Sequence, residues 1–481
     1  MLHRRDLGVR AGAGSYRPAS SSDVPDSPGR GRSLRDRPRW VIAVAGLMLG
    51  AIVVVAVVAP AMRHSVPITV SDDDSVADSK RNADESPIVK KIKRQPKKPL
   101  LDIAIVLVTF NRHEYLQQTL QSLMRIWPVD GGIGGVKFHL VISQDGTHPE
   151  VSQVIHKHME RDPSITHLRF EYDEQSWISE NAGSPQEYMP DLSVYYKISA
   201  HFKSILRRAM IDSATSYHGL LFIEDDMEFA PDFLSYFAYS APFLAENSET
   251  TLCVSAWNDH GQSHLVADPK KLLRADIFPG LGWMMTRAVA LELYAKWPFG
   301  FWDDWLREPG QRLGRSCVFP EINRVKTFGK VGSSGGEFFD QYLAPIQLNA
   351  VAVDWKTEGM SHLKSAFNVS QYREDLNRAA DASQLLTYDG LASLIRSDAS
   401  DNTLGDVRVI YKDEVQFAVF AELVGCMPGF KSGFPRASFD GIVAVHLSSG
   451  RRLFITPKKH SVVVLAPPRR KPPRDDQADI I

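Results

Sequence analysis

Strand-like apolar runs alternate with segments of helical periodicity between residues 103 and 257. The first run is Ile103–Phe110, and in the segment after it Leu116, Leu120 and Leu123 fall on one helical face. The alternation continues with four more runs: Phe138–Asp145, His167–Tyr172, Leu220–Asp226 and Thr251–Trp257. Strands separated by helices pair in parallel, and the helices cover both faces of the sheet. The order therefore predicts an α/β domain built on a mostly parallel sheet.

A second, smaller unit is indicated near the C-terminus. Val407–Tyr411 has the composition of a strand, Phe417–Gly425 has helical periodicity, and Gly441–Ile455 has the pattern of a hairpin turning at Ser449-Gly450. These elements predict a small α+β domain. The predicted division of the chain is a cytosolic tail (1–39), a transmembrane anchor (40–62), a stem (63–100), the α/β domain (101–360), a connecting segment (361–402), the small domain (403–460) and a disordered tail (461–481).

The segment Trp40–Met62 carries no charged residue. As a helix it would be roughly 34 Å long at ~1.5 Å per residue, which is enough to cross a bilayer. Three arginines in residues 35–39 precede it and only Arg63 follows closely, which favours a cytosolic N-terminus. The alternative is a cleaved signal peptide, since residues 59–61 are Ala-Pro-Ala. The long leading segment, the long apolar run and Pro60 within that site favour the uncleaved anchor.

The flanking composition supports the same plan. Residues 63–100 are polar and charged and cannot bury enough apolar surface to fold. A formal net charge of −1 gives no basic field, so nucleic acid is not an expected partner. Asn368 begins a glycosylation sequon. There are three cysteines, so that in an oxidising compartment two could pair, and the pattern of residues does not choose the pair.

Polar residues follow the predicted strands at the point where each one ends. In sheets of this kind, ligands bind beyond the carboxyl ends of the strands. The sequence therefore predicts a nucleotide crevice formed by Asn111–Arg112, Gln144–Asp145, Glu224–Asp226 and Trp257–Asp259.

The apolar run Leu220–Ile223 stops on three consecutive carboxylates: Glu224, Asp225 and Asp226. Three negative charges at the end of a core strand are unfavourable unless a positive group meets them. A hard divalent cation prefers such oxygen ligands and bridges phosphates. The alternative is a solvated acidic turn. The position of the triplet after a core strand, beside other polar strand ends, favours a metal.

The segment Lys296–Trp305 places Asp303 and Asp304 among five aromatic residues. Aromatic faces suit sugar rings, and apolar surroundings make a carboxylate more basic. The alternative is a packed aromatic cluster with an aspartate at a helix N-cap.

Two further motifs have alternative interpretations. Pro279–Met285 contains two glycines, which fit either a close approach of a ligand to the backbone or a tight turn. The stretch Gly332–Gly336 matches the G-x-S-x-G nucleophile elbow of hydrolases at Ser334, with His362 or His446 as partner. An elbow follows a strong core strand, and the preceding segment is short and polar, so a hydrolase is disfavoured. Taken alone, His201 in its predicted helix fits a structural role.

Eight stretches occur in one order: VSQDG, YYKISAH, IEDDMEFAPDF, CVSAWNDHG, FPGLGW, FWDDWLR, PEINRVKTFG and GGEFFDQ. They resemble the alpha-1,3-mannosyl-glycoprotein 2-beta-N-acetylglucosaminyltransferase family, also called N-acetylglucosaminyltransferase I. The resemblance covers roughly Ile103 to Pro457, including LGDVRV and KSGFPRASFDGIV in the small domain.

This resemblance implies a single-pass type II Golgi membrane enzyme whose body has a Rossmann-like GT-A nucleotide-sugar fold and lies in the lumen. It implies Mn²⁺-dependent, inverting transfer of N-acetylglucosamine from UDP-GlcNAc. The acceptor would be the 2-hydroxyl of the α1,3-arm mannose of a high-mannose N-glycan, so that transfer initiates hybrid and complex glycans.

The resemblance also implies roles for individual residues. Asp226 would be the metal ligand, Asp225 would contact the ribose and Asp303 would be the catalytic base. The predicted substrate-binding residues are Arg112, Asp145, His201, Glu224, Asp225 and Ser334, and the implied disulfide joins Cys253 and Cys317. The elbow-like serine, Ser334, would then lie in a loop that closes over the donor phosphates.

The chain departs from the family pattern at three places. Phe110 and Gly146 stand where animal relatives carry cysteines, and the loop Asn181–Leu192 is less similar. Two other functions remain as alternatives: an O-mannose-directed β1,2-N-acetylglucosaminyltransferase, and a non-catalytic luminal glycan-binding protein on the same fold. The intact acidic triplet and Asp303 favour an enzyme.

Overall fold

The computed structural model describes residues 101–184, 186–332, 336, 338–397 and 405–458, all of which lie in one compact unit, residues 92–481. The predicted cytosolic tail, the anchor at 40–62, the stem and the tail at 461–481 lie outside the described residues. Within the described ranges, no helix combines the length and the apolar character that a membrane span requires.

The described residues form seventeen strands and twelve α-helices. The strands are β1 (Leu101–Thr109), β2 (Gly132–Ile133), β3 (Val136–Asp145), β4 (Thr166–Phe170), β5 (Gly219–Glu224), β6 (Met227–Phe229), β7 (Thr251–Ser255), β8 (Leu272–Ala275), β9 (Trp283–Thr286), β10 (Ser316–Pro320), β11 (Val325–Thr327), β12 (Gln384–Leu385), β13 (Val407–Tyr411), β14 (Phe430–Lys431), β15 (Phe434–Pro435), β16 (Val443–His446) and β17 (Arg452–Pro457). The helices are α1 (His113–Ile126), α2 (Pro149–Arg161), α3 (Glu174–Glu180), α4 (Ser193–Met210), α5 (Phe233–Glu246), α6 (Arg287–Tyr294), α7 (Trp302–Leu306), α8 (Pro309–Arg312), α9 (Met360–Phe367), α10 (Val369–Ala382), α11 (Tyr388–Arg396) and α12 (Glu414–Val424).

The main sheet has the strand order β2-β3-β1-β5-β9-β7-β10-β8, and β4 pairs with β3. Strands β1, β3, β4, β5, β7 and β10 run in one direction, while β2, β8 and β9 run against them. The prediction of a mostly parallel sheet is therefore confirmed, with one difference. Strand β9 lies antiparallel between β5 and β7, and the residues just before it, Gly280 to Gly282, have positive φ values.

Alternate residues of β1 enter different cores, as the period of a strand requires. Ile103, Ile105 and Leu107 pack with residues of α1, α2 and α5, whereas Ala104 and Val106 pack with residues of α4 and α6. The sheet is thus buried on both faces. Its ligand-accessible surface is the edge at which the parallel strands end.

The second sheet has the order β12-β13-β17-β16. Helices α11 and α12 contribute to the core on one face, and α10 contributes Ala380 to a smaller cluster with Ile442 and Phe454. The predicted strand, helix and hairpin of the small domain are all present. The predicted connecting segment contributes more than a connection, since β12, α10 and α11 pack with this second sheet.

A disulfide joins Cys253 and Cys317, the pair that the resemblance implies. These residues are partners across the parallel strands β7 and β10, and both are buried. The third cysteine, Cys426, is a free thiol buried in the core of the second sheet.

Candidate active site

The carboxyl ends of β1 and β5 bring Arg112 to the acidic triplet. Its guanidinium donates through Nη1 to Asp226 Oδ2 at 2.9 Å and through Nη2 to Asp225 Oδ1. One positive group that meets the triplet is therefore an arginine, and the predicted metal at this place stays a prediction. Position 112 follows a strand end that is adjacent to β5, so the sheet order alone explains the pairing.

Threonines fix the turn that carries the triplet. Thr109 donates to Asp225 Oδ2 at 2.7 Å, and Thr119 of α1 donates to the Asp225 carbonyl at 2.8 Å. The Thr119 hydroxyl also accepts from the Met227 amide at 3.0 Å. Burial raises the pKa of Asp225, and Arg112 and Thr109 oppose that effect only in part. These contacts hold the middle carboxylate in one orientation.

The triplet retains an excess of negative charge. Burial, together with the charges of Asp226, Asp225 and Asp303, holds the pKa of Glu224 well above its usual range, and Arg112 opposes this shift. Three carboxylates share one guanidinium, which is an environment that favours an added cation. The donors are oxygens, as Mn²⁺ and Mg²⁺ prefer.

The number of possible protein ligands is small. Among the described residues, no three His, Cys, Asp or Glu side chains are arranged to hold a metal together. Metals bound together with a nucleotide commonly take one or two ligands from the protein and the others from water and phosphate.

The segment after β11 covers Asp226. The Phe328 amide donates to the Asp226 carbonyl at 2.9 Å, and a Cβ at Gly329 would lie 2.0 Å from Asp226 Oδ2. Only glycine fits at position 329 without moving the carboxylate. Farther along, the Val331 carbonyl accepts from Arg112 Nη1 at 3.0 Å. Ser334 lies in the continuation of this loop, outside the described residues, so its donor role stays a prediction.

Asp145 ends β3 with one oxygen free for a ligand. Its Oδ2 lies 3.5 Å from Lys197 Nζ, whereas its buried Oδ1 has no hydrogen-bond partner among the described residues. Burial raises the pKa of Asp145 to about 6, and Lys197 opposes the shift. Lys197 also lies 4.0 Å from the ring centre of Phe110, which is exposed. An unpaired acceptor beside an aromatic face suits a planar ring that carries an N–H group.

His201 is buried on α4, beneath this part of the edge. Its Nε2 lies 2.8 Å from Ser143 Oγ, and its ring stacks on Phe170 with the centroids 5.0 Å apart. Burial and the nearby charges of Lys197 and Arg208 lower the pKa of His201 to about 3, so the ring is neutral. The structure thus places His201 beside Ser143, which lies two residues before Asp145 on β3. Its role in donor binding stays a prediction.

The aspartate pair lies in the first turn of α7. Arg307 Nη1 donates to both carboxylates, to Asp303 Oδ2 at 2.9 Å and to Asp304 Oδ1 at 3.0 Å. Lys431 donates to Asp304 Oδ2 at 2.7 Å. Burial would raise the pKa of Asp304, but Lys431 and Arg307 outweigh it and hold that pKa below its usual value. In the described part of the chain, no lysine pairs with Asp303, which is bound by Arg307. The negative charge of Asp303 contributes to the raised pKa of Glu224. The two neighbours therefore face different surroundings.

The aromatic residues around the pair serve packing. Trp302 stacks against Phe202, Trp283 and Trp297 in the core beneath α7. The N-cap position of α7 is Phe301, so neither aspartate caps the helix. The packed aromatic cluster predicted as an alternative is therefore present. It forms a rigid base for Asp303 and Asp304, whose side chains are 47% and 46% exposed.

Other predicted site residues have structural partners. Asp259 accepts from Trp257 Nε1 at 3.0 Å and lies 3.4 Å from Arg436 Nη1, while Asn258 donates to the Glu321 carbonyl at 2.8 Å. The polar residues that follow β7 are thus engaged in contacts within the protein. The serine of the elbow-like motif follows β11, which pairs only with β6 in a two-stranded antiparallel sheet. A nucleophile elbow follows a core strand of the main sheet, and among the described residues the strand before this motif is β11, which is not part of that sheet.

Sequence reasoning missed Thr109, Lys197, Arg307 and Lys431. Arg307 could have been found, because it lies four residues after Asp303 and three after Asp304 on one helix face. Lys197 lies four residues before His201 in the same way. Lys431 gave no local signal, since 127 residues separate it from Asp304.

A family model described as GNT-I family matches residues 61–468. The alpha-1,3-mannosyl-glycoprotein 2-beta-N-acetylglucosaminyltransferase of Arabidopsis thaliana is 36% identical to the chain over 353 residues, which are 73% of this chain and 73% of that protein. The chain belongs to the GNT-I family, and the resemblance found from its motifs is confirmed.

Two solved structures show weaker likeness. A crystal structure of GalNAc-T7 with UDP, GalNAc and Mn²⁺ has a TM-score of 0.31 at 13% identity, covering 48% of this chain and 44% of that chain. The mannosyltransferase PcManGT from Pyrobaculum calidifontis, in complex with GDP-Man and Mn²⁺, has a TM-score of 0.30 at 15% identity, covering 63% and 83%. At such TM-scores neither likeness carries an argument.

Proposed function

We propose that the protein is an inverting β-1,2-N-acetylglucosaminyltransferase with a GT-A type nucleotide-sugar domain. It transfers N-acetylglucosamine from UDP-GlcNAc to the 2-hydroxyl of the α1,3-arm mannose of a high-mannose N-glycan. This step initiates hybrid and complex N-glycans. The reaction and acceptor follow from the family and from the name of the Arabidopsis relative.

The placement of Asp303 relative to the acidic triplet carries the chemistry. A half-exposed carboxylate, oriented by Arg307, lies close enough to the triplet for its charge to act on Glu224. An acceptor hydroxyl is a weak nucleophile, and Asp303 can take its proton during attack. One displacement with one base inverts the anomeric carbon. The UDP leaving group needs no general acid.

The acidic triplet is the proposed site of Mn²⁺, with Asp226 as the direct protein ligand. A bound cation supplies charge neutralisation for the departing diphosphate. Arg112 reaches the same two carboxylates and would hold them, and an N–H of its guanidinium that does not bind Asp225, Asp226 or Val331 would donate to the donor phosphate. Asp225, fixed by Thr109, would accept from a ribose hydroxyl.

The pocket at the end of β3 is the proposed base subsite. The unpaired Oδ1 of Asp145 would accept from the N–H of the uracil ring, and Phe110 would lie against the ring. Neutral His201 would support β3 through Ser143. Ser334 would close over the phosphates in the loop that begins at Gly329.

The protein would act as a single-pass type II Golgi membrane protein with its body in the lumen. This part of the proposal rests on the uncharged segment Trp40–Met62, the arginines before it and the glycoprotein acceptor of the relative. Protease protection of the C-terminal body in sealed vesicles would support it. A mature N-terminus directly after Ala61 would contradict it.

A transfer assay tests the activity. The purified protein is incubated with UDP-GlcNAc, Mn²⁺ and a defined high-mannose N-glycan, and the product linkage is determined. We expect one β1,2-linked residue on the α1,3-arm mannose. Transfer to an O-mannosyl peptide instead would identify the other acceptor class. Donor binding without turnover on either acceptor would identify a glycan-binding protein.

A further inference from the structure

The hairpin β14–β15 reaches from the second sheet region to the aspartate pair. Its turn residues, Ser432 and Gly433, both have positive φ, and Lys431 precedes them. Phe434 lies under the guanidinium of Arg312, with Cζ 5.4 Å from the ring centre. Beyond the hairpin, the Arg436 carbonyl lies 3.1 Å from His260 Nε2. The hairpin is therefore held against the main domain at several points. These contacts fix the position of the Lys431 backbone.

One nitrogen of Arg307 serves both aspartates. Nη1 lies 2.9 Å from Asp303 Oδ2 and 3.0 Å from Asp304 Oδ1, while Nε donates to the Phe278 carbonyl at 3.2 Å. The guanidinium is almost fully buried, with 9% of its side chain exposed, and cannot turn to follow one partner. Among the described residues, Asp303 thus depends on this one fixed donor group, whereas Asp304 also accepts from Lys431.

We propose that Lys431 is a positioning residue for the catalytic base, acting through Asp304 and Arg307. Its ammonium group, 2.7 Å from Asp304 Oδ2, neutralises that carboxylate and leaves Arg307 available to orient Asp303. The hairpin β14–β15 would thereby contribute to catalysis without contacting the reacting atoms. The inference rests on the proposed function, in which Asp303 is the base.

Charge balance around Asp303 explains why the lysine matters. The charged groups that act here are Asp304 and Arg307 on its own segment, Glu224 from the triplet and Lys431 from the hairpin. Without Lys431, Asp303 and Asp304 would both depend on the single guanidinium of Arg307. Asp304 would then bind Arg307 more strongly, and its uncompensated charge would repel ionised Asp303. The base would lose its orientation and become harder to ionise.

Steady-state kinetics of purified variants test the proposal. Lys431→Met is expected to lower kcat roughly ten- to a hundredfold, since a base displaced by about 1 Å loses that much. The acidic limb of its pH–rate profile should move to higher pH, and donor affinity should stay unchanged. Lys431→Arg keeps the charge and should retain most of the turnover.

A double-mutant cycle separates positioning from simple stability. In the Asp304→Asn background, Lys431→Met should cost only about twofold, because the carboxylate that the lysine neutralises is gone. Lys270→Met is the matched control: Lys270 lies 3.3 Å from Glu358 in an ion pair of similar exposure, and its loss should leave kcat and the pH profile unchanged.

Two results would overturn the inference. One is a normal kcat and pH profile in Lys431→Met. The other is an equal loss of kcat in both backgrounds, which would indicate that the hairpin contributes only structure. Failure of the proposed function is distinct from both, because the wild-type protein would then show no transfer to the high-mannose N-glycan.

Discussion

Arg112 Nη1 lies 2.9 Å from Asp226 Oδ2, while Nη2 of the same guanidinium donates to Asp225. One side chain from the end of β1 thus holds the last two carboxylates of a triplet that ends β5. The neighbouring strands place the pair, and Thr109 completes it with a hydrogen bond to Asp225. One guanidinium thus faces two carboxylates, and we propose that a divalent cation offsets the negative charge that remains when both are ionised.

The first prediction concerns this charge excess. Arg112→Gln should lower the free energy of unfolding by about 2 kcal/mol, because it leaves hydrogen-bonded carboxylates without their charged donor. Mn²⁺ should then raise the melting temperature of the variant more than that of the wild type. The control is Arg378→Gln, which breaks an exposed pair with Asp375. If Mn²⁺ raised the melting temperatures of the wild type and of Arg112→Gln equally, the cation would not be binding to the excess negative charge of the triplet.

The second prediction concerns the metal ligand. Asp226→Asn should abolish the Mn²⁺-dependent part of UDP-GlcNAc binding, measured by calorimetry, because an amide is a much weaker ligand for a hard cation than a carboxylate. Asp381→Asn, at an exposed carboxylate paired with Arg408, should bind donor normally. Donor affinity that still rises with Mn²⁺ in a folded Asp226→Asn protein would refute the assignment.

The third prediction uses pH. Burial raises the pKa of Asp145 to about 6, so the carboxylate protonates as pH falls through that value. If ionised Asp145 accepts from the N–H of the base, affinity is full above this pKa and declines below it, by up to about tenfold per pH unit. Uridine is the suitable ligand because it carries neither phosphate nor metal.

The control for this pH dependence is Asp145→Asn. This variant should bind uridine weakly at every pH and lack the step near the pKa of Asp145. Uridine affinity that is constant from pH about 5 to about 7.5 in the wild type would contradict the proposed base contact.

The fourth prediction concerns the disulfide. Replacing Cys253 and Cys317 together by alanine should lower the free energy of unfolding by about 2–4 kcal/mol, because the bridge closes a long loop, with a sequence separation of 64. Reducing the disulfide of the wild-type protein should also lower its free energy of unfolding. Cys426→Ala, which removes the free buried thiol, should keep its sensitivity to reductant. A reductant-insensitive wild type would show that the bond does not stabilise the fold.

The sequence predicted the repeating elements well because their signals are local. Leu116, Leu120 and Leu123 are all buried on α1, and the strand ends at Arg112, Asp145 and Asp226 do lie at one edge of the main sheet. The acidic triplet was recognised as needing a positive partner. That the partner is Arg112 depends on which strands are neighbours, and periodicity does not give strand order.

The features that were not predictable from the sequence are contacts between residues far apart in the chain. Lys431 in the hairpin β14–β15 donates to Asp304 of α7, and Arg436, directly after the hairpin, lies 3.4 Å from Asp259. The position of β9 between β5 and β7 depends on backbone pairing that local periodicity does not predict. Each of these contacts joins residues that are far apart in the chain.

The last prediction concerns the base itself. Asp303→Asn keeps the volume of the side chain and its bond to Arg307 but removes proton acceptance, so kcat should fall by about 10²- to 10⁴-fold. UDP-GlcNAc and Mn²⁺ affinities should survive, because neither ligand is assigned to Asp303. Asp304→Asn is the matched neighbour, and it should cost clearly less because Lys431 and Arg307 engage that carboxylate. The transfer rate and donor affinity of both variants decide the assignment. Near-normal turnover in Asp303→Asn, or a greater loss in Asp304→Asn, would show that the catalytic base is another group.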